Sequence, residues 1–338
     1  YRDQTFMLAA GLATTEQIFA QLYADPDPSH EPFSAGRQMN CHFATRMVDE
    51  SGEWLSLADV KNISSDIAPT AGQMPRALGL AYASKAFRQI EQLKSFRQLS
   101  RNGEEVCFAT IGDASTSEGH FWETMNAAGV LQVPLAVFVW DDGYGISVPK
   151  KYQTTKASVS DALSGLQKTT TSNGIHIYKV KGWDYAGMCE AFEEGISLAR
   201  KEHIPVLFHV EEITQPQGHS TSGSHERYKS PERLDWEREW DGIKKLKEWI
   251  LSNELASPGE LDEIAEKAKV FVRDSKNAAW DKFITPVKAQ VARAAELIRS
   301  VAKALPDHSA VLEKLAIDLT ATREPLRRDV MKTLHAAL

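Results

Sequence analysis

Two apolar runs, Val106–Ile111 and Pro134–Trp140, each end on a short acidic loop, with a helix-like stretch between them. Runs of this length rich in β-branched and aromatic residues predict strands. The same reading predicts a helix over Thr14–Tyr23, then the turn-rich Asp25-Pro26-Asp27-Pro28-Ser29 and a long irregular stretch from Gly36 to Pro69. Gly72–Gln89, rich in Ala, Leu, Tyr and Lys, predicts a helix, with Pro75 tolerable only in its first turn. From 105 to 212 the order is strand, helix, strand, irregular loop, strand (Ile175–Val180), helix (Asp184–Arg200) and strand (Pro205–Glu212). Alternating βα units predict an α/β fold built on a doubly wound parallel sheet. Ligands bind such sheets off the carboxyl ends of the strands, so Asp113, Asp142 and the segment after Glu212 are expected on one edge.

The character changes near Asp235. No glycine occurs between Leu261 and Leu338, and charged residues alternate with Ala, Leu, Ile and Val at helical spacing. Several helices are predicted, broken near Pro286, Pro306 and Pro325, with Ala294, Leu297, Ile298, Val301 and Leu305 as one apolar face. The expected domains are therefore an α/β domain over 1–235 and a helical extension over 236–338. That extension either closes the core or forms an arm toward another domain or partner.

Composition narrows the function classes. A net charge of −7 gives no reason to expect nucleic acid or a membrane surface as partner. No apolar run approaches the roughly 20 residues of a membrane helix. Cys41, Cys107 and Cys189 are widely spaced without metal-like pairing and are expected to be reduced and structural, which fits a cytoplasmic or organelle-matrix protein. The chain begins Tyr1-Arg2-Asp3 without Met, so the lack of a targeting segment carries no argument.

The chemistry concentrates in Gly112-Asp113-Ala114-Ser115-Thr116-Ser117-Glu118-Gly119 and Trp140-Asp141-Asp142-Gly143-Tyr144-Gly145-Ile146-Ser147. Asp113 and Asp142 are about one strand–helix–strand unit apart. Carboxylates at neighbouring strand ends suit Mg²⁺, which takes one or two of them plus substrate phosphate. An acidic pair at βα loops can equally cap helices, and Ser115-Thr116-Ser117-Glu118 matches a capping box. Both readings are compatible, because the amides at the start of that helix would face an anionic diphosphate.

These two segments resemble the thiamine-diphosphate motif, which opens Gly-Asp-Gly and closes on paired Asn. The fuller resemblance is to the alpha subunit of the decarboxylating 2-oxo acid dehydrogenases. It implies a metal site of Asp113, Asp142 and the Tyr144 main-chain carbonyl, with the main chain of Ala114 and Ser115 against the diphosphate. Two departures stand out: Ala114 replaces Gly, and Asp142 replaces Asn, which adds negative charge and raises the demand for a divalent cation. Tyr1-Arg2 resembles the family's Tyr-Arg at the phosphate end of the cofactor, where Arg offers bidentate hydrogen bonds. Ile67-Ala68-Pro69-Thr70-Ala71-Gly72-Gln73-Met74-Pro75 resembles the segment whose backbone holds the aminopyrimidine, which maps to Ala68 and Thr70. A potassium ion bound there by branched-chain relatives is not expected, because Ile67 and Gly72 stand where those relatives have hydroxyls. Gln217-Gly218-His219-Ser220 resembles a Gly-His-Ser loop whose histidine approaches the cofactor and the reacting centre, which makes His219 the catalytic candidate. His225 lacks such a match and is expected to be structural. Ser220 and Ser222 roughly match serines that are phosphorylated in some relatives.

The resemblance covers about residues 1–235 and implies thiamine diphosphate and Mg²⁺ as cofactors. It also implies oxidative decarboxylation of a 2-oxo acid (pyruvate or a branched-chain acid such as 2-oxoisovalerate) with acyl transfer to lipoamide. In this family a glutamate on a separate pyrimidine-binding domain activates the cofactor, and no second α/β domain is expected in 236–338. The implied partners are a beta subunit or a fused pyrimidine-binding domain, and a lipoyl-bearing acyltransferase. The assembly would be a heterotetramer or a homodimer of fused chains, and the glycine-free extension favours fusion. The alternatives are a transketolase-like ketol transfer, suggested by Asp141-Asp142 with Gly145-Ile146-Ser147, an acetoin-type dehydrogenase, and a non-catalytic subunit of the same fold. A dinucleotide-binding dehydrogenase is disfavoured, since no Gly-x-Gly-x-x-Gly follows a strand.

Overall fold

The computed structural model describes residues 4–38, 41–65, 67–219 and 224–338. Along the chain run helices α1 (Gln4–Ala9), α2 (Thr15–Leu22) and α3 (Gln73–Gln89), strand β1 (Cys107–Gly112), α4 (Gly119–Leu131) and β2 (Leu135–Trp140). A short hairpin, β3 (Tyr144–Gly145) and β4 (Val148–Pro149), precedes α5 (Val159–Ala162), β5 (His176–Lys181), α6 (Tyr185–Glu202) and β6 (Val206–Glu211). Helices α7 (Pro231–Glu239), α8 (Gly242–Ser252), α9 (Pro258–Ala304), α10 (Ser309–Ala321) and α11 (Arg327–Ala337) complete the chain. Its contacts divide it into two compact units: residues 1–46, 63–65 and 263–338, and residues 47–62 and 66–262. No helix among the described residues is long and apolar enough to cross a membrane, and Cys41, Cys107 and Cys189 are not joined in a disulfide.

The second unit contains the α/β sheet, four parallel strands in the order β1-β2-β6-β5. Strand alternation sends successive side chains to opposite faces. Ala109, Ile111, Leu135, Val137, Val139 and Leu207 join residues of α3 and α4 in one core, while Ala136, Phe138, Val206, Phe208 and Val210 pack with Phe192, Ile196 and Ala199 of α6 in another. Both faces are covered by helices, which is the doubly wound arrangement expected. Strand pairing in register, Gly112 beside Trp140 and Trp140 beside Val210, ends β1, β2 and β6 on one carboxyl edge.

The helix starts follow local chemistry only in part. Thr14 caps α2 through a full capping box with Gln17. The capping box expected at Ser115–Glu118 does not form. Ala114–Ser117 make a separate 3₁₀ turn, and α4 begins on Glu118 without a side-chain cap.

In the first unit, Val291, Ala294, Ala295, Ile298 and Ala302 of α9 pack with Leu312, Ala316 and Leu319 of α10 and Val330 of α11. This corrects two expectations. The buried face keeps Ala294 and Ile298 but leaves Leu297, Val301 and Leu305 exposed, because the small alanines, not the leucines, meet the neighbouring helices. Pro286 does not break its helix; α9 continues through it. The missing N–H forfeits one bond to the Lys282 carbonyl, but Ile284 and Val287 on either side are buried and hold the turns together. The breaks near Pro306 and Pro325 are present, between α9 and α10 and between α10 and α11.

Gly195 of α6 shows how tightly helix and sheet meet. A Cβ there would lie 2.5 Å from Phe208 Cζ and 2.8 Å from its Cε1. The Phe208 ring cannot retreat, since Phe138, Phe192 and Tyr178 surround it with centroids at 4.6, 4.9 and 5.2 Å. Helix propensity favours alanine over glycine by about 1 kcal/mol, whereas overpacking costs about 1–3 kcal/mol. Gly195→Ala is therefore expected to lower stability by up to about 2 kcal/mol, and a rise in the denaturant midpoint would refute this packing argument.

Candidate active site

The site is built where β1, β2 and β6 run out. The Asp113 N–H donates to the Trp140 carbonyl (3.2 Å), the Asp141 N–H to Val210 (2.9 Å), and the Ile213 N–H back to Asp141 (3.1 Å). The ladder thus extends past the strands and carries Asp113, Asp141 and Asp142 to one place. All three are buried, at 4%, 1% and 8% exposure.

Burial of three acids is tolerable only if each finds compensation. Asp141 has it. Its Oδ2 accepts from Lys150 Nζ (2.7 Å) and His209 Nε2 (2.9 Å), and its Oδ1 from the Gly143 N–H (2.8 Å). His209 Nδ1 takes the Ser160 N–H at 3.3 Å and lies 2.8 Å from Ser160 Oγ, so its ring proton sits on Nε2 and points at Asp141. Burial pushes the Asp141 carboxyl up, but the His209 and Lys150 hydrogen bonds and charges outweigh it and hold the group below its ordinary value.

Asp113 lacks such partners. Its Oδ2 is buried with no hydrogen-bond partner, and its side chain caps no turn. Burial first, then the charges of Asp141 and Asp142, push its carboxyl up to about 8, against the Ala114 N–H and Lys150. A proton or a divalent cation would satisfy this group, and oxygen ligands are what Mg²⁺ or Ca²⁺ takes.

Asp142 is held from several directions. Its Oδ1 accepts from the Tyr144 N–H (3.1 Å), its Oδ2 from Gln215 Nε2, and its main-chain carbonyl from Arg233 Nη2 (2.9 Å). Tyr144 lies opposite Pro149 in the hairpin, while the Lys150 N–H binds the Gly143 carbonyl at the neighbouring position. Tyr144 is thus a non-hydrogen-bonded position, and its N–H and C=O face away from β4 on the side of the Asp142 carboxylate. The hairpin lies against the Asp113 turn: a Cβ on Gly145 would come within 2.8 Å of the Ala114 Cβ. The Tyr144 ring is flanked by Tyr228 (5.9 Å), Lys229 (5.1 Å) and Arg233 (5.6 Å). Both cations are fixed on Glu237, which is buried with Lys229 at 2.7 Å and bonded to Arg233 Nε at 2.9 Å.

The sequence candidates are thus distributed unevenly. Asp113, Ala114, Ser115, Asp142 and Tyr144 come together at the sheet edge. His219 is exposed, and its main chain is hydrogen-bonded to the Tyr228 hydroxyl, which burial, and then Asp142, raise above the usual tyrosine value. Gly218 sits close against His225: a Cβ on Gly218 would meet the His225 ring at 2.8 Å, and His225 is buried. Ala68 and Thr70 are exposed just before α3, whose first residue sends Gln73 Nε2 to the Thr110 carbonyl at 3.0 Å, on the carboxyl half of β1. No contact joins Ala68 or Thr70 to the aspartates among the described residues. Tyr1, Arg2, Ser220 and Ser222 lie outside the described residues. Sequence reading missed Lys150, Ser160, His209, Gln215, Arg233 and Glu237, which bear no motif and reach the site only through folding.

Fold and site together define an α/β protein with a buried oxygen-rich acidic centre at the carboxyl edge of a parallel sheet. The chain belongs to the dehydrogenase E1 component family, whose profile matches residues 1–288. It is 26% identical over 277 residues to the pyruvate dehydrogenase E1 component subunit alpha of Rickettsia bellii, covering 81% of this chain and 72% of that protein. It is 27% identical over 243 residues to the mitochondrial 2-oxoisovalerate dehydrogenase subunit alpha of Dictyostelium discoideum (71% of this chain, 47% of that one). A mitochondrial 2-oxoisovalerate dehydrogenase subunit alpha 2 of Arabidopsis thaliana matches at 27% over 256 residues (75% and 45%). The chain spans about half the length of these two 2-oxoisovalerate dehydrogenase relatives.

The Asp113 environment gives a pH signature. Without a cation the folded protein keeps a proton on Asp113 that the unfolded chain releases near 3.8, so stability falls as pH rises from there toward about 8. In metal-free buffer the Tm is expected to drop between about pH 5 and about pH 8 by roughly 4 °C or more. Mg²⁺ should restore it at the upper pH, and Asp113→Asn should remove both effects. A Tm independent of pH and Mg²⁺ would contradict this account.

Proposed function

We propose that this chain is the cofactor-diphosphate half of the decarboxylating component of a 2-oxo acid dehydrogenase complex. Carrying that reading is the buried, uncompensated Asp113 oxygen beside Asp142, in a chain of the dehydrogenase E1 family. The substrate is a 2-oxo acid of the pyruvate or branched-chain kind, since the relatives bear the names pyruvate dehydrogenase and 2-oxoisovalerate dehydrogenase. The acyl group passes to lipoamide on a partner acyltransferase.

In this reading Asp113, Asp142 and the Tyr144 carbonyl hold Mg²⁺. The Ala114–Ser115 main chain and the first turn of α4 meet the diphosphate, and Tyr1-Arg2 supplies a cation to its phosphate end. Ala68 and Thr70 contribute backbone groups toward the aminopyrimidine ring. Thiamine diphosphate, when bound, supplies the nucleophile and the electron sink for loss of CO₂. His219, on a loop anchored through Tyr228 near Asp142, stabilises charge or moves a proton at the reacting carbon. Asp141 stays out of this chemistry, since Lys150 and His209 already neutralise it. Residues 236–338 lead toward a pyrimidine-binding domain, in a beta subunit or a fused continuation, which completes the site in a cytoplasmic or matrix assembly.

The test is substrate-dependent dye reduction by the native assembly with Mg²⁺ and thiamine diphosphate, across pyruvate, 2-oxoisovalerate and 2-oxoglutarate. Turnover of pyruvate or 2-oxoisovalerate is expected, with little from the isolated chain. His219→Ala is expected to lower kcat about a hundredfold. Ketol transfer from a ketose phosphate without turnover of any 2-oxo acid would replace this reading with transketolase chemistry.

A further inference from the structure

A carboxylate that shares a cation must present its oxygens in one orientation, and the structure shows what sets that orientation for Asp142. Its main chain is fixed twice: the preceding Asp141 is locked into the β2–β6 ladder, and its own carbonyl takes Arg233, itself bonded to Glu237. The remaining freedom is rotation of the side chain. The Tyr144 N–H stops one oxygen, and Gln215 Nε2 stops the other. Gln215 lies four residues past the end of β6, on a segment tethered by the Ile213 N–H to Asp141 and by the Gly218 N–H to Gln215's own carbonyl. The family resemblance singled out no residue of this segment before Gln217.

We infer that Gln215 is a positioning residue of the cation centre, acting through Asp142. The inference rests on the reading of Asp113 and Asp142 as cation ligands. Two carboxylates bring more charge than the Asp–Asn pair of the resembled motif, and an unrestrained buried carboxylate beside Asp113 would turn away or take up a proton. A neutral amide donor restrains it without a positive charge that would compete with the cation. Lysine or arginine at the same place would compensate Asp142 as Lys150 compensates Asp141, and would close the centre to a metal. The two adjacent acids differ in a donor the structure shows: Lys150 Nζ reaches Asp141, and Gln215 Nε2 reaches Asp142.

The test uses the native assembly with thiamine diphosphate and Mn²⁺ as the probe, read by titration and by the electron spin resonance spectrum of the bound ion. Gln215→Met keeps the side-chain length and removes the donor. It is expected to raise the Mn²⁺ Kd about tenfold, the effect of losing one hydrogen bond to a charged group, and to broaden the bound-ion spectrum. The metal-free Tm should stay within about 1 °C of wild type, because the residue is only half-buried. Beside Asp142→Ala the same substitution should cost nothing further. An unchanged Kd, a matching fall in the metal-free Tm, or an equal cost in the Asp142→Ala background would overturn the inference while leaving the functional reading intact. A wild-type assembly that binds no Mn²⁺ would overturn both.

Discussion

The parallel backbone ladder joining β1, β2 and β6 is the constraint from which the rest of the site follows. Parallel pairing ends all three strands on the same edge, and the hydrogen bonds continue one step beyond them, from Asp113 to Trp140 and from Asp141 to Val210. Asp113 is thereby brought beside the distant pair Asp141-Asp142, and all three acids are buried together. Such a concentration of charge is unfavourable in itself. The apolar burial on both faces of the sheet, centred on Phe208 and Phe121, supplies the stability that lets it persist.

The two neighbouring acids of the second loop show how a low-dielectric site sorts charges. Asp141 is neutralised by Lys150 and His209, so it serves the fold, holding the loop through the Gly143 N–H. Asp142 accepts from the Tyr144 N–H and from the Gln215 amide. Asp113 has a buried oxygen with no partner at all. A buried carboxylate oxygen left without a partner among the described residues is difficult to justify for stability alone. It is readily understood in a centre whose missing charge arrives with a ligand.

The helices after β6 extend the same logic. Arg233 bonds the Asp142 carbonyl, stacks against Tyr144 and Trp236, and is bonded to Glu237, whose charge is shared with buried Lys229. A loop that carries ligands is normally mobile. Here it is braced by an ion-paired helix on one side and by a hairpin on the other, where Gly145 is required by the closeness of Ala114. The Gly-His loop is tied to the same brace through Tyr228, so the acidic centre and His219 share one support.

The α/β class, the strand positions, the helical tail and the acidic loops were legible in the sequence, because they depend on local periodicity and on residues that announce their chemistry. Asp113 and Asp142 were legible as a pair because strand–helix–strand spacing alone implies neighbouring strand ends. The division of labour between Asp141 and Asp142 was not, since Lys150, His209, Gln215 and Arg233 lie on four segments that meet only after the sheet forms. The course of α9 through Pro286, and the burial of Ala294 and Ile298 while Leu297 and Val301 stay exposed, were hidden for the same reason. Periodicity names a helix's apolar positions, but neighbouring helices choose which of them to cover. The sequence alone determined which chemistry the chain could carry; the tertiary structure decided which donors each buried carboxylate meets, because compensation of a buried charge depends on atoms within a few ångströms and not on neighbours in the chain.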